Sequence, residues 1–297
     1  MFEERAALRA AVRGLLGGQI AADGLWPRLC KEIGVAGLTV PEEYGGSGAT
    51  LGEAAVVLEE LGRVLSPAPM LGTVLAVHAL LEFGDEDARA RLLPAICSGE
   101  RTVTAAWAGC VFPADTVLVV RDGALFEIDG EIEVTESLDL TRATSRLRSQ
   151  QTPELRDIAC AALSAEQLGT AERALELTVA YVQERHQFGR PIGSFQVLQH
   201  RLAEAYVRVQ AARSASEAAV QAVADGSADA SLLAAAAKVT CSETLRAVAA
   251  EMVQMHGGIA ITWEHDAHRF LRRAWVTAQM YGSPESHVAR LTPTLLS

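Results

Sequence analysis

Residues 184–199, ERHQFGRPIGSFQVLQ, set two arginines, two aromatics, several amides and a proline between long alanine-rich stretches. Arg185 and Arg190 supply fixed positive charge, and Gln187 and Gln196 supply amide donors and acceptors. Phe188 adds a flat apolar face. A guanidinium among amides suits a diphosphate, and a phenyl edge suits a flat ring system. A solvated connection with one buried phenylalanine would need no such set, yet residue types alone leave both readings open.

A second segment, VQMHGGIAI at 253–261, has Gly257 and Gly258 after a helical pattern, with Gln254 just before them. Paired glycines there cap a helix, or they let a ligand approach bare backbone. In WEHDAHRF, residues 263–270, His265, Asp266 and His268 stand near His256, but the HxxH spacing is loose and no HExxH helix or second cluster supports it. Capping or solvated surface is expected there, and no metal. EYGGSGAT at 43–50 reads as a turn, because no strand precedes it and no lysine follows. With no GxSxG elbow and no cysteine near an obvious histidine partner, nucleophilic catalysis has no signal.

The elements that would position these residues follow from composition and period. The 297 residues are 49% hydrophobic and 21% charged, enough for a sizeable core in two or three domains. A net charge of -11 and a pI near 5.2 argue against a nucleic-acid partner. No apolar run reaches the roughly 18 to 20 residues of a membrane span. The start lacks the basic-then-apolar order of a secretory signal. Cys30, Cys97, Cys110, Cys160 and Cys241 are scattered, and they read as reduced thiols of a cytoplasmic protein.

Three textures divide the chain, with no internal repeat. Residues 1–100 form an N-terminal α-helical domain, in which Val56, Leu58, Leu61 and Leu65 recur at helical spacing, Pro67 and Pro69 stop that helix, and Asp85 caps a further helix ending at Gly99. Residues 101–152 are a short β-region whose runs are separated by Asp122-Gly123 and Asp129-Gly130, dipeptides favoured in tight hairpins. Residues 153–297 form a C-terminal helical bundle. Its first helix runs to Glu184. A second carries Leu198, Leu202, Tyr206 and Val209 on one stripe and stops at Gly226. A third is closed by Gly257-Gly258, and a shorter pair is broken at YGSPESH. The fold class is therefore mainly α: an N-terminal helical domain, a shortened middle β-region and a C-terminal four-helix bundle.

Taken in order, these residues resemble the acyl-CoA dehydrogenase family over most of the chain. LCKEIGVAGLTVPEEYGGSGATLGEAAVVLEELGRVLSPAP is similar to its N-terminal helical domain, and RHQFGRPIGSFQ resembles its R-x-Q-F-G-x-P-I-x-x-F-Q segment. QMHGGIAIT is similar to Q-x-x-G-G-x-G-Y-T, with Ala260 and Ile261 departing from the usual Gly-Tyr. The resemblance implies FAD held between subunits. Arg185, Gln187, Phe188, Gln196, Gln254, Gly257 and Gly258 would lie against the diphosphate and adenosine of an FAD bound mainly by a neighbouring subunit.

Two departures follow from the same resemblance. The middle domain is about half the family's usual length and lacks its T-E-P-x-A-G-S-D type flavin cradle. The catalytic glutamate, which precedes the Gly of Y-E-G-T in the family, aligns with Tyr281 here; the alternative position near Ala159 and Cys160 has no carboxylate, although Asp157 is close and Glu285 lies a few residues after Tyr281. A phenol of pKa near 10 is a poor base at neutral pH, so no catalytic residue is assigned to this chain. It resembles the degenerate subunit of the α2β2 acyl-CoA dehydrogenases of actinobacterial steroid and cholesterol catabolism. That implies a homologous catalytic partner subunit, a bulky acyl-CoA substrate and an electron-transfer flavoprotein as acceptor. The alternatives are a helical scaffold without flavin, and a homo-oligomeric dehydrogenase using Glu285 or Asp157 as base.

Overall fold

The computed structural model describes residues 2–18, 24–129, 133–147 and 152–296. Helices α1 (Phe2–Leu16), α2 (Leu25–Ile33), α3 (Leu51–Arg63), α4 (Met70–Phe83) and α5 (Glu86–Ser98) come first. Local chemistry fixes their ends. Gly52 N–H donates to Thr50 Oγ1 (3.1 Å) while Thr50 N–H donates to the Glu53 carboxylate (2.9 Å), a reciprocal cap on α3. Ala88 N–H donates to Asp85 Oδ1 (2.8 Å) at the start of α5, and Gly99 closes it in the left-handed conformation. Val56, Leu58, Leu61 and Leu65 are all buried, as their spacing predicts.

The middle region forms a small sheet in the order β1 (Val103–Ala106), β3 (Thr116–Arg121), β4 (Ala124–Asp129), with β1 parallel to β3 and β3 antiparallel to β4. A minor ribbon pairs β2 (Cys110–Val111) with β5 (Ser145–Arg146). Asp122 (φ 50°) and Gly123 (φ 75°) make the two-residue turn between β3 and β4. Gly130, of the second Asp-Gly pair, lies outside the described residues. Val103, Ala105, Leu118 and Val120 pack with α4 in the N-terminal core, while Ala106, Val111, Val117 and Val119 form a small cluster of their own on the other face of the sheet.

Helices α6 (Pro153–Glu184), α7 (Gln196–Ala224) and α8 (Ala230–His256) form the long bundle. Helix α9 (Ala267–Gln279) packs on α8 and α6, and α10 (Pro284–Leu296) on α8. One residue departs from the expected stripe. Tyr206 is 57% exposed, and Ala205, Val209 and Ala212 take the inner face of α7 instead. Alanine lets α7 lie close to its neighbours, so the larger residue is displaced outward. Where α3 crosses α6 the backbones touch. A Cβ on Gly169 would lie 1.9 Å from the Glu59 carbonyl oxygen, and one on Gly62 would lie 2.2 Å from that of Glu166. Thr170 Oγ1 donates to the Gly62 carbonyl (3.0 Å) across the same seam. Among the described residues no helix is long and apolar enough to cross a membrane.

Candidate functional site: an open polar face and a buried Tyr281

The first sequence-picked segment is a two-stranded hairpin between α6 and α7. Here β6 (His186–Gln187) pairs with β7 (Arg190–Pro191), and Phe188 (φ 55°) and Gly189 (φ 77°) form the turn. Both central residues are left-handed, as this hairpin type requires. That conformation is unfavourable for a bulky residue. Phe188 nevertheless occupies it, and its ring is 91% exposed. Among the described residues its one ring contact is edge-on to Phe195, at 6.2 Å. The Arg190 guanidinium sits 4.1 Å over the same Phe195 ring, so Arg190 is consumed inside the hairpin. Arg185 ends α6, with its N–H donating to the Tyr181 carbonyl (2.8 Å) and its carbonyl accepting from Ile192 N–H (2.8 Å).

The second segment lies at the same end of the bundle. Tyr181, one turn before the hairpin, stacks on His256 (4.1 Å between centroids) and its hydroxyl donates to the His256 carbonyl (3.3 Å). Arg201 near the start of α7 pairs with Glu251 near the end of α8 (2.8 Å). Gln254 is exposed on the last turn of α8. Gly257 (φ 65°, ψ −139°) then adopts a backbone shape that favours glycine, and a Cβ on either Gly257 or Gly258 would meet nothing within 4 Å. The structure thus brings all seven sequence-picked residues to one end of the bundle. The side chains of Arg185, Gln187, Gln196 and Gln254 make no hydrogen bond or ion pair among the described residues. A guanidinium, three amides, a bare aromatic ring and open backbone fit the diphosphate and adenosine end of a dinucleotide.

The other end of such a cofactor, and a base, would need a second site. The position aligned with the base is closed. Tyr281 is 2% exposed, packs at 5.7 Å from the Trp107 ring, and has its phenol pushed well above its ordinary value by burial. Ala159 and Cys160 are fully buried, and burial raises the Cys160 thiol to about 12. Asp157 is held by Arg156 (2.8 Å). Glu285 is exposed on the first turn of α10, and a hydrogen bond from Ser283 lowers its carboxyl.

The histidines divide between packing and surface. His256 Nδ1–H donates to the Met252 carbonyl (2.7 Å) and the ring tilts against His265 (4.5 Å), while Asp266 pairs with Arg269 (3.3 Å). Among the described residues no group of three or more His, Cys, Asp or Glu is arranged to hold a metal ion.

Sequence reasoning missed a buried ionic cluster behind Tyr281. Arg273 Nε lies 2.5 Å from Asp139 and its Nη1 3.2 Å from Glu166, while Arg142 lies 2.7 Å from the other Glu166 oxygen. Arg273 Nη2 also donates to Thr141 Oγ1 (2.7 Å) and to the Leu65 carbonyl (3.1 Å). All four charged residues are 5% exposed or less. They pin residues 138–142 onto α6 and α9. Lys238 is buried as well, donating to Ser242 Oγ (2.9 Å) and to the Thr277 and Ala278 carbonyls (3.3 and 2.9 Å), and burial brings its ammonium down to about 8. The one sequence signal for it is a lone lysine in AAAAKVT. A cleft of about 680 Å³ opens between α1, α3 and α7 along the second half of α7. Its Arg5, Arg9 and Arg13 are already paired with Glu53, Glu59 and Glu60.

Family models and known proteins match most of the chain. Residues 157–296 match the family model described as acyl-CoA dehydrogenase, C-terminal domain, and residues 3–100 match acyl-CoA dehydrogenase, N-terminal domain. The chain is 42% identical over 292 residues to acyl-CoA dehydrogenase IpdE2 of Mycobacterium tuberculosis, spanning 95% of this chain and 90% of that one. Among solved structures, a Tcur3481-Tcur3483 steroid ACAD variant superposes with TM-score 0.87 at 27% identity, covering 99% of this chain and 98% of the other. The ChsE4-ChsE5 complex from Mycobacterium tuberculosis gives TM-score 0.86 at 25% identity, covering 100% and 98%.

Proposed function

Because the chain belongs to the acyl-CoA dehydrogenase family, we propose that it is the non-catalytic half of a flavin-dependent dehydrogenase, completing the FAD site of a homologous catalytic subunit. The assembly is an α2β2 heterotetramer working in the cytoplasm. Its substrate is the CoA thioester of a bulky, steroid-derived acid, a class supported by likeness to the steroid ACAD structure. An electron-transfer flavoprotein is the electron acceptor.

One contrast carries this reading: Arg185, Gln187, Gln196 and Gln254 stand free beside exposed Phe188 and open glycine backbone, while Tyr281 is sealed in the core. A flavin enzyme acting alone would need both ends of the site exposed. Bound FAD supplies the hydride acceptor for the substrate β-carbon. In this chain Arg185 offsets diphosphate charge, Gln187, Gln196 and Gln254 offer amide hydrogen bonds, and Phe188 covers a flat ring. Gly257 and Gly258 leave the backbone accessible to the cofactor. The carboxylate that removes the α-proton belongs to the other subunit.

The test is visible flavin absorbance with stoichiometry, on the chain alone and co-expressed with family-related chains of its own genome. A colourless chain alone and a yellow complex with one flavin per unlike pair is the expected result. Arg185→Ala should lower flavin occupancy in that complex. A yellow, active protein from this chain alone would overturn the half-site.

A further inference from the structure

The turn Gly257–Ile261 leads from the open glycines onto a second face. Ile261 is 77% exposed and Trp263 71% exposed, while Trp275 on α9 is 45% exposed. Leu138 and Leu140, from the segment before β5, are each more than half exposed. Leu138, Ile261, Trp263 and Trp275 surround a depression of about 410 Å³ with Leu271 at its side. Two of the four tryptophans of the chain therefore stand on one apolar face.

These groups are held in place. Asp139, between the two leucines, is clamped by Arg273 at 2.5 Å, which turns its neighbours outward. Arg272 Nη1 reaches the Leu138 carbonyl (3.4 Å). Trp263 meets His268 edge-on at 4.9 Å, and the Arg246 guanidinium lies 4.2 Å over Trp275. Rigid, exposed tryptophan and arginine side chains carry most of the energy at protein interfaces, and prior ordering reduces the entropy lost on docking.

Continuity identifies the occupant. A standard interface covers about 800 Å² per side, a disc of roughly 16 Å radius. Trp263 is five residues beyond Gly258, at most about 18 Å away even if the chain were fully extended. A subunit whose footprint spreads from Gly257 and Gly258 along the turn Gly257–Ile261 covers Ile261 and Trp263.

We propose that Leu138, Leu140, Ile261, Trp263 and Trp275 form the anchoring face for the flavin-bearing homologous subunit. This rests on the half-site reading, and adds that the affinity of the pair resides here while the flavin contacts lie apart, on Arg185 and its neighbours. The experiment uses the co-expressed partner found by flavin absorbance, purified separately and titrated calorimetrically with wild type, Trp263→Ser, Leu138→Asp and Arg185→Ala. All three side chains are exposed, so circular dichroism should show folds unchanged from wild type. Trp263→Ser and Leu138→Asp are expected to weaken association by about 30-fold or more. Arg185→Ala should keep association within about 3-fold while losing flavin. A yellow complex whose affinity ignores both Trp263→Ser and Leu138→Asp would overturn the anchoring face and leave the half-site standing. Absence of any yellow complex with wild type would remove both. Self-association of the chain alone, abolished by Trp263→Ser, would make the occupant a second copy and also overturn the proposal.

Discussion

Replacing Arg273 with methionine should cost more than any exposed arginine substitution in the chain. The guanidinium is 1% exposed and pairs with Asp139 at 2.5 Å and Glu166 at 3.2 Å, and it also bonds Thr141 and two carbonyls, Leu65 and Ser66. Removing one member of a buried ion pair leaves an uncompensated charge and costs about 3–5 kcal/mol. Glu166 keeps Arg142, so Asp139 bears most of that penalty. With an unfolding entropy of roughly 2.1 cal/mol/K per residue over 297 residues, about 4 kcal/mol lowers Tm by about 6 °C. Burial alone would push the Asp139 carboxyl up, but Arg273, Arg142 and the Thr141 hydrogen bonds together outweigh it and hold the group below its ordinary range. The stabilisation is therefore present above about pH 4 and lost as the pH falls through the lowered value. Urea denaturation of wild type, Arg273→Met, Asp139→Asn and the double variant closes the cycle. The double variant should recover about 2 kcal/mol of the loss, since no bare carboxylate remains. An Arg273→Met loss below about 1 kcal/mol, or no recovery in the double variant, would refute the reasoning; that smaller size is what an exposed pair such as Arg28 with Glu32 contributes.

Gly169→Ala should destabilise by about 1–3 kcal/mol in the same denaturation assay, because its Cβ meets a carbonyl oxygen. Gly14→Ala, with open space around it, should gain up to about 1 kcal/mol from helix propensity. Lys238 titrates near 8 when folded, against about 10.4 unfolded, so the unfolded chain binds more protons between those values. The stability of wild type relative to Lys238→Met should therefore rise across that window by up to about 3 kcal/mol; a flat difference would show the ammonium is not desolvated. Tyr281→Phe should leave turnover of the yellow complex nearly unchanged, and a collapse of rate with flavin retained would return a catalytic role to this chain.

Local chemistry was legible in the sequence. Asp85 with Ala88, Gly99, and the Asp122-Gly123 turn each act within four residues, so residue type and spacing determine them. The residues proposed to face the cofactor stood out in the sequence because their polarity has no local use, and the side chains of Arg185, Gln187, Gln196 and Gln254 make no hydrogen bond or ion pair among the described residues. Tyr206 was misplaced because spacing weighed a large side chain above the alanines that govern close helix approach. The ionic cluster was illegible because Arg273 meets Thr141 and Glu166 across 132 and 107 residues. No periodicity reports contacts that long.

Helix α6 belongs to both major cores. Leu155, Ile158 and Leu163 join the N-terminal cluster with Leu58, Leu75 and Val103, whereas Leu168, Ala171 and Leu175 join the bundle cluster with Leu245 and Phe270. A helix of 32 residues, about 48 Å long, is thus the common beam of two cores, each roofed by one half of it. Melting either core strips that beam of one set of partners and frees amides along a continuous ladder. Hydrogen exchange should accordingly find the slowest amides of the whole chain near the Gly169 crossing, where both cores and the α3 backbone guard the same turn.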